Sequence, residues 1–138
     1  MALAFGRYEL LKKLASGGMG QVFLARTGAQ GFEKLVVLKR ILPHLVEDEE
    51  FFTMFLDEAR ISLRLNHPNI AQIYELGEER GAHFIVMEYV ASDDVRRLTK
   101  KAKEAGLEVP LGVILRVIAD AAAGLDHAHK VRDNKGVI

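Results

Sequence analysis

The chain is 138 residues long, which is enough for one domain with a buried core. Apolar residues make up 49% and charged residues 28%, the balance of a globular protein in water, and the absence of cysteine excludes disulfides, zinc–thiolate sites and a catalytic thiol. Nineteen basic residues balance nineteen acidic ones, which argues against a nucleic-acid-binding domain driven by bulk electrostatics.

The N-terminal segment does not have the pattern of a targeting signal. Residues 1–11 lack both a basic start and an apolar stretch long enough for a signal peptide. No window further along approaches the apolar length that a membrane-spanning helix needs. We therefore expect a cytoplasmic protein without a membrane segment in this chain.

The first third of the sequence predicts three strands separated by turns. The strands are short apolar runs at 8–14, 22–25 and 35–38. Between the first two lies the cluster Ser16-Gly17-Gly18-Met19-Gly20, and 27–31 is turn-like. The simplest layout is a glycine-rich hairpin followed by a third strand.

Past the third strand, the apolar residues change to the period of a helix. Between Asp48 and Leu65 they recur at helical spacing, at Phe52, Phe55, Ala59 and Leu63. Asp48 can cap the start of this helix, and Pro68 ends it. The sequence therefore predicts one amphipathic helix after the three strands.

Two more strands and a basic helix follow. The strands are predicted at 71–76 and 83–87, where apolar and β-branched residues return. The basic helix opens at Asp93 or Asp94 and ends near Gly106.

The last predicted element is a long helix over 110–130. Pro110 is well placed as its first residue. Its sequence is apolar nearly all round, so we expect it to be covered on most sides, by self-association or by a partner.

The glycine cluster is the first candidate for chemistry, because glycines let a backbone approach phosphate oxygens and turn its N–H groups toward them. Taken alone, such a cluster is usually a turn. It is not a Walker loop, since no Lys-Ser/Thr follows Gly20, and not a dinucleotide fingerprint, since a strand follows it. It fits the protein-kinase pattern G-x-G-x-x-G-x-V at Gly17, Gly20 and Val22, with Ala15 in place of the first glycine.

Three further features have both a plain and a functional interpretation. Lys39 ends the third strand and is either a solvated terminus or the lysine of a V-A-I-K position. Glu58 lies on the following helix and is either an exposed charge or the ion-pair partner of Lys39. The segment 85–90 is either a buried strand or a hinge whose backbone groups bond an adenine edge.

The order and spacing of these features identify a family. The glycine hairpin, Lys39 and Glu58 are followed by Asn66-His67-Pro68-Asn69-Ile70 and by Met87-Glu88-Tyr89-Val90. From Tyr8 onward the chain resembles the bacterial Hanks-type serine/threonine protein kinases. The segments especially similar to the deltaproteobacterial (myxobacterial) branch are 31–34, 39–44 and 55–60.

The resemblance implies an α+β fold in two parts. After a lead-in of residues 1–6, residues 7–90 would form a protein-kinase-like N-lobe with its hinge, a five-stranded antiparallel sheet plus one main helix. Residues 91–138 would form the first helices of the α-helical C-lobe.

The resemblance also implies an ATP site. The backbone of Gly17, Gly18 and Gly20 would cover the phosphates, and Lys39 would hold the α- and β-phosphates while pairing with Glu58. The remaining implied contacts are an adenine sandwich of Leu14, Val22, Val37 and the gatekeeper-like Met87, edge bonds from the Glu88 carbonyl and the Val90 amide, and Asp94 near the ribose. Ala15 adds a methyl group to the loop, from which we expect a modest loss of nucleotide affinity.

The family residues that complete phosphoryl transfer do not occur in this sequence. After Ile138 the family would continue into its His-Arg-Asp catalytic loop, and its magnesium ligands lie there and beyond. Magnesium therefore has no predicted ligand here, and the chain alone is not expected to be catalytically competent. Three interpretations stay open: half of a working kinase acting on a protein substrate, a non-catalytic kinase-derived module that binds nucleotide or a partner, and an assembly surface.

Overall fold

The computed structural model describes residues 3–18 and 20–131. They fall into two compact units, one reaching Asn66 and including Ala71–Tyr89, the other comprising His67–Ile70 and the residues from Val90 onward. The strands are β1 Leu3–Phe5, β2 Tyr8–Gly17, β3 Gly20–Thr27, β4 Lys34–Ile41, β5 Ile73–Glu79 and β6 Ala82–Glu88. The helices are α1 Pro43–Val46, α2 Glu49–Ser62, α3 Val95–Glu104 and α4 Leu111–Lys130. Among these described helices, none is both long and apolar enough to span a membrane.

An antiparallel sheet in the order β1-β2-β3-β4-β6-β5 forms the first unit. Five strands correspond to the predicted ones, and the α+β kinase-like fold is confirmed. The sixth, β1, lies in the predicted lead-in, where Phe5 pairs with Tyr8 across the two-residue loop Gly6-Arg7. Gly6 has a φ of 56°, which glycine adopts without steric strain, so the short strand folds back tightly.

The alternation of side chains gives this sheet two apolar faces. The first face buries a cluster consisting of Tyr8, Leu10, Ala25, Val36, Leu38, Phe84 and Val86. Phe5 of β1 packs against this cluster, with its ring centroid 5.3 Å from that of Phe84 in an edge-to-face arrangement. The second face, which we call the helix face, carries Ile41 and Ile85 and packs against α2.

Helix α2 contacts the helix face through its buried residues Phe55 and Ala59. The helix begins where the sequence predicts, because the Asp48 carboxylate accepts a hydrogen bond from the Phe51 N–H at 3.0 Å and caps the N-terminus. The one-turn helix α1 that precedes it is an element the sequence analysis did not predict.

Helices α3 and α4 form the second unit together with the segment His67–Ile70. Asn69 Nδ2 donates to the backbone carbonyl of Asp120 at 2.8 Å, and a Cβ on Gly124 would lie 3.2 Å from the Asn69 carbonyl oxygen. The segment therefore lies close on α4. Pro110 is the N-cap of α4 and not its first residue, one position earlier than predicted. The large apolar side chains that α4 exposes include Leu111, Ile114, Leu115, Ile118 and Leu125.

Candidate functional site

Strand pairing places four of the predicted nucleotide-binding residues on the helix face. Val22 pairs with Lys39, and Lys39 pairs with Ile85. In the next row, Val37 pairs with Met87. Directly opposite residues share a face, and Ile85 lies on the helix face. Val22, Lys39, Val37 and Met87 therefore occupy two adjacent rows on the side of the sheet that packs against α2.

The predicted phosphate-covering glycines differ in what surrounds them. Gly17 pairs with Gly20 at the end of the β2–β3 hairpin. A Cβ added to Gly20 would lie under 3.0 Å from the Arg40 carbonyl oxygen, so β4 itself requires glycine there. A Cβ added to Gly17 or Gly18 would meet nothing within 4 Å. The space beside these two glycines is open to a ligand.

Strand β2 is irregular beside the glycines. Its register with β3 shifts between Leu10 and Lys12 and again between Lys13 and Ala15, which leaves Leu14 without a direct partner. Leu14 is 44% exposed, as expected for an apolar side chain that awaits a contact. Ala15 pairs with Val22, so its methyl group lies on the helix face in the row of Val22 and Lys39.

Lys39 is half-buried and Glu58 is exposed. Among the ion pairs of the described residues, none includes Lys39, so no carboxylate there lies within 4.0 Å of its ammonium group. Glu58 follows Phe55 by three positions and flanks the buried stripe of α2. The ion pair between Lys39 and Glu58 is not formed in this structure, and their catalytic roles stay predictions. A half-buried cation without a counter-charge favours an anion beside it.

The predicted hinge begins at the end of β6. Met87 pairs with Val37 on one side and with Ile73 on the other. The Glu88 N–H donates to the Gln72 carbonyl at 2.8 Å, and the Gln72 N–H donates to Glu88 Oε2 at 3.0 Å. The Glu88 side chain is thus held in place by the chain that leads into β5.

The other two predicted ligand residues belong to the second unit. Val90 is 56% exposed, and its carbonyl accepts from the Ser92 N–H at 2.8 Å. Asp94 is the N-cap of α3, where its Oδ1 accepts from the Arg97 N–H at 2.7 Å. Beside it, a hydrogen bond from Lys101 lowers the pKa of Asp93 below its ordinary value.

A polar cluster at the start of β2 was missed by sequence reasoning. The buried Tyr8 donates its hydroxyl to Glu75, and Arg7 donates to the Tyr8 oxygen at 3.0 Å and to Glu75. Burial is the main cause that raises the pKa of Tyr8 above its ordinary value. Clefts of about 370 and 260 Å³ adjoin this cluster, and neither is lined by a predicted nucleotide-binding residue. The cluster joins positions 67 apart in sequence, so no local pattern could indicate it.

The described residues contain no group of three or more His, Cys, Asp or Glu side chains that could hold a metal ion. What they do present on the helix face is an ammonium group, apolar side chains on either side of it, and glycines with open space. This combination suits a ligand with an anionic part and a flat apolar part.

Comparison with known proteins supports this assignment. The protein kinase domain profile matches residues 8–134. The tyrosine-protein kinase MasK of Myxococcus xanthus is 49% identical over 133 residues, which cover 96% of this chain and 21% of that protein. The serine/threonine-protein kinase pkn3 of Myxococcus xanthus is 36% identical over 126 residues, which cover 89% of this chain and 22% of that protein.

Solved structures agree with the sequence relatives. The kinase domain of PknI from Mycobacterium tuberculosis superimposes with a TM-score of 0.71 at 30% identity, covering 93% of this chain and 50% of that one. The chain spans about a fifth of the length of the two Myxococcus relatives and half of the PknI kinase domain. The predicted bacterial Hanks-type resemblance is confirmed, and the chain belongs to the protein kinase domain family, of which it represents the N-terminal part.

Proposed function

We propose that this chain binds ATP through the helix face of its sheet. The observation that carries the proposal is Lys39, a half-buried ammonium group with no carboxylate of the described residues within 4.0 Å. A triphosphate supplies the missing negative charge. The open space at Gly17 and Gly18 admits its oxygens to the backbone.

The remaining residues divide the nucleotide between them. Gly20 closes the loop over the phosphates, and Ala15 lies toward the sugar. The side chains that enclose the adenine are Leu14, Val22, Val37 and Met87, and the backbone groups that bond its edge are the Glu88 carbonyl and the Val90 N–H. Asp94 accepts from the ribose hydroxyls. Glu58 steadies Lys39 when the phosphates are bound, because an ammonium on a flexible stem needs a partner to stay aimed.

For the complete protein we propose transfer of the γ-phosphate of ATP to serine or threonine hydroxyls of proteins in the cytoplasm. Magnesium supplies charge neutralisation in that reaction. The support is family membership and the name of pkn3, whereas MasK is named a tyrosine kinase. Phosphoamino acid analysis of substrate labelled by the complete protein tests the acceptor, and phosphotyrosine alone would overturn this assignment.

Nucleotide binding is tested by thermal unfolding with a non-hydrolysable ATP analogue. At a hundred times its dissociation constant, the analogue should stabilise the chain by about 2.7 kcal/mol. Lys39→Met should abolish this gain. Lys13→Met is the matched control, since Lys13 pairs with Phe23 on the opposite face of the sheet and loses the same charge. If the analogue has no effect on the wild type, or if both variants respond alike, the proposed site is wrong.

A non-catalytic module is the second candidate, and the apolar surface of α4 favours it. Leu111, Ile118 and Leu125 are 69%, 59% and 58% exposed. Because exposed apolar residues drive association, we propose that a second copy of the isolated chain covers this helix. Light scattering should then give the mass of a dimer, and Ile118→Glu should give that of a monomer. A wild-type monomer at micromolar concentration would contradict the proposal.

A further inference from the structure

The junction between β6 and β5 departs from a regular antiparallel pair. In a regular hydrogen-bonded pair, two opposite residues exchange both of their backbone N–H···O bonds. Glu88 and Gln72 make only one such bond, from the Glu88 N–H to the Gln72 carbonyl at 2.8 Å. The Gln72 N–H donates instead to the Glu88 side chain, at Oε2, over 3.0 Å.

The carboxylate of Glu88 therefore takes the hydrogen bond that its own backbone carbonyl would receive. In an antiparallel strand, the N–H and C=O of one residue point to the same side. Since the Glu88 N–H points to Gln72, the Glu88 carbonyl also points to the β5 side and away from β4. Its regular donor on that side is occupied by Oε2. The carbonyl at the end of β6 is thus left available as an acceptor.

The contact is local and well supported. Glu88 is half-buried, pairs with Val36 of β4, and follows Met87, which lies on the helix face. A half-buried carboxylate needs hydrogen-bond donors, and the Gln72 N–H needs an acceptor at the start of β5. One bond satisfies both groups.

We propose that the Glu88 carboxylate is a positioning residue that keeps its own backbone carbonyl free for an amino group on the ligand. This inference rests on the proposed ATP binding and deepens it. A purine with an amino group at position 6 donates a hydrogen bond to a free carbonyl. A purine with an oxygen at that position presents a second acceptor and is disfavoured. The side chain thereby selects adenine over hypoxanthine without touching either.

The test compares ATP and inosine triphosphate, which differ at this position of the ring. The wild-type chain should bind ATP about tenfold more tightly, the effect of one hydrogen bond gained against one acceptor left unpaired. Glu88→Ala frees the Gln72 N–H to bond the backbone carbonyl. ATP affinity should then fall about tenfold, to the level of inosine triphosphate, whose own affinity stays unchanged. Glu88→Gln keeps a side-chain acceptor and should keep the wild-type preference.

A second variant separates positioning from general damage. Gln72→Pro removes the competing N–H, and proline is tolerated at the first residue of an edge strand. Alone it should leave the preference for ATP intact, and in the Glu88→Ala background it should restore it. These measurements decide the matter even if Glu88→Ala does not fold.

The outcomes distinguish the two proposals. A wild-type chain that binds neither nucleotide overturns the ATP site itself, and the positioning role with it. A chain that prefers ATP but keeps this preference in Glu88→Ala overturns the positioning role alone. So does a loss of preference in Glu88→Gln or in Gln72→Pro.

Discussion

Gly18→Ala and Gly20→Ala should have opposite consequences, although both change one glycine of the same hairpin to alanine. At Gly20 the new Cβ would lie under 3.0 Å from the Arg40 carbonyl oxygen, with the Arg40 carbonyl carbon at 3.3 Å. These are backbone atoms of β4, so the strands have to separate. At Gly18 no atom lies within 4 Å, and its φ is not in the left-handed region that favours glycine.

The structure sets the size of each effect. Overpacking against a fixed neighbour costs about 1–3 kcal/mol, so Gly20→Ala should lower the free energy of unfolding by about 2 kcal/mol and Tm by roughly 6–10 °C. Gly18→Ala should leave stability unchanged or raise it by up to about 1 kcal/mol, because alanine restricts the unfolded chain. Its methyl group occupies the space proposed for phosphate oxygens, so the affinity for an ATP analogue should fall about tenfold.

Thermal and denaturant unfolding measure stability, and calorimetric titration of the analogue measures affinity. Gly17→Ala provides a second position with open space and should behave like Gly18→Ala. A Gly20→Ala chain as stable as the wild type would refute the steric reasoning. A Gly18→Ala chain that binds the analogue as the wild type does would refute the assignment of the open space to phosphate.

Other substitutions test single contacts. Ala15→Gly should tighten analogue binding two- to fivefold in titration while it lowers stability by about 0.5–1 kcal/mol; unchanged binding would show that the methyl group does not matter. Tyr8→Phe removes the hydrogen bond to Glu75 and should cost about 1–2 kcal/mol in urea unfolding. The pKa of Tyr8 is raised above its ordinary value of 10.0, so its contribution is complete below that pH and is lost as pH rises beyond it; the variant should show a weaker alkaline decline. Asp48→Ala should cost about 1 kcal/mol by removing the cap of α2, and an unchanged urea midpoint would contradict that role.

The regular elements could be predicted because their causes are local. The helical period over Phe52–Leu63 and the capping Asp48 place α2 within a few residues of its observed bounds. The turn between β5 and β6 was placed too early, because Gly77 was interpreted as part of it. A Cβ on Gly77 would lie 2.5 Å from Phe84 Cζ, so this glycine makes room for a ring inside the sheet. The turn itself is Arg80-Gly81, with positive φ at both residues.

The candidate site was predictable in its residues and not in its contacts. Pattern and spacing indicate Lys39 and the glycines, since the family motif is read along the chain. The bond from the Gln72 N–H to the Glu88 carboxylate joins positions 16 apart, and either residue could have bonded differently without any change in the motif. Strand β1 escaped prediction because a run of three residues carries no period.

The separation of Lys39 from Glu58 follows from the relative strength of two interactions. Helix α2 is held to the sheet by apolar contacts such as those of Phe55, and burying one such side chain contributes about 1.5–3 kcal/mol. An ion pair with an exposed carboxylate contributes about 0.2–1 kcal/mol. Packing therefore sets the position of α2 in the free chain. The ion pair can prevail only when a further charge acts on Lys39, and a bound triphosphate supplies that charge. Nucleotide binding and the approach of Glu58 are thus expected to be coupled, each favouring the other by the same factor.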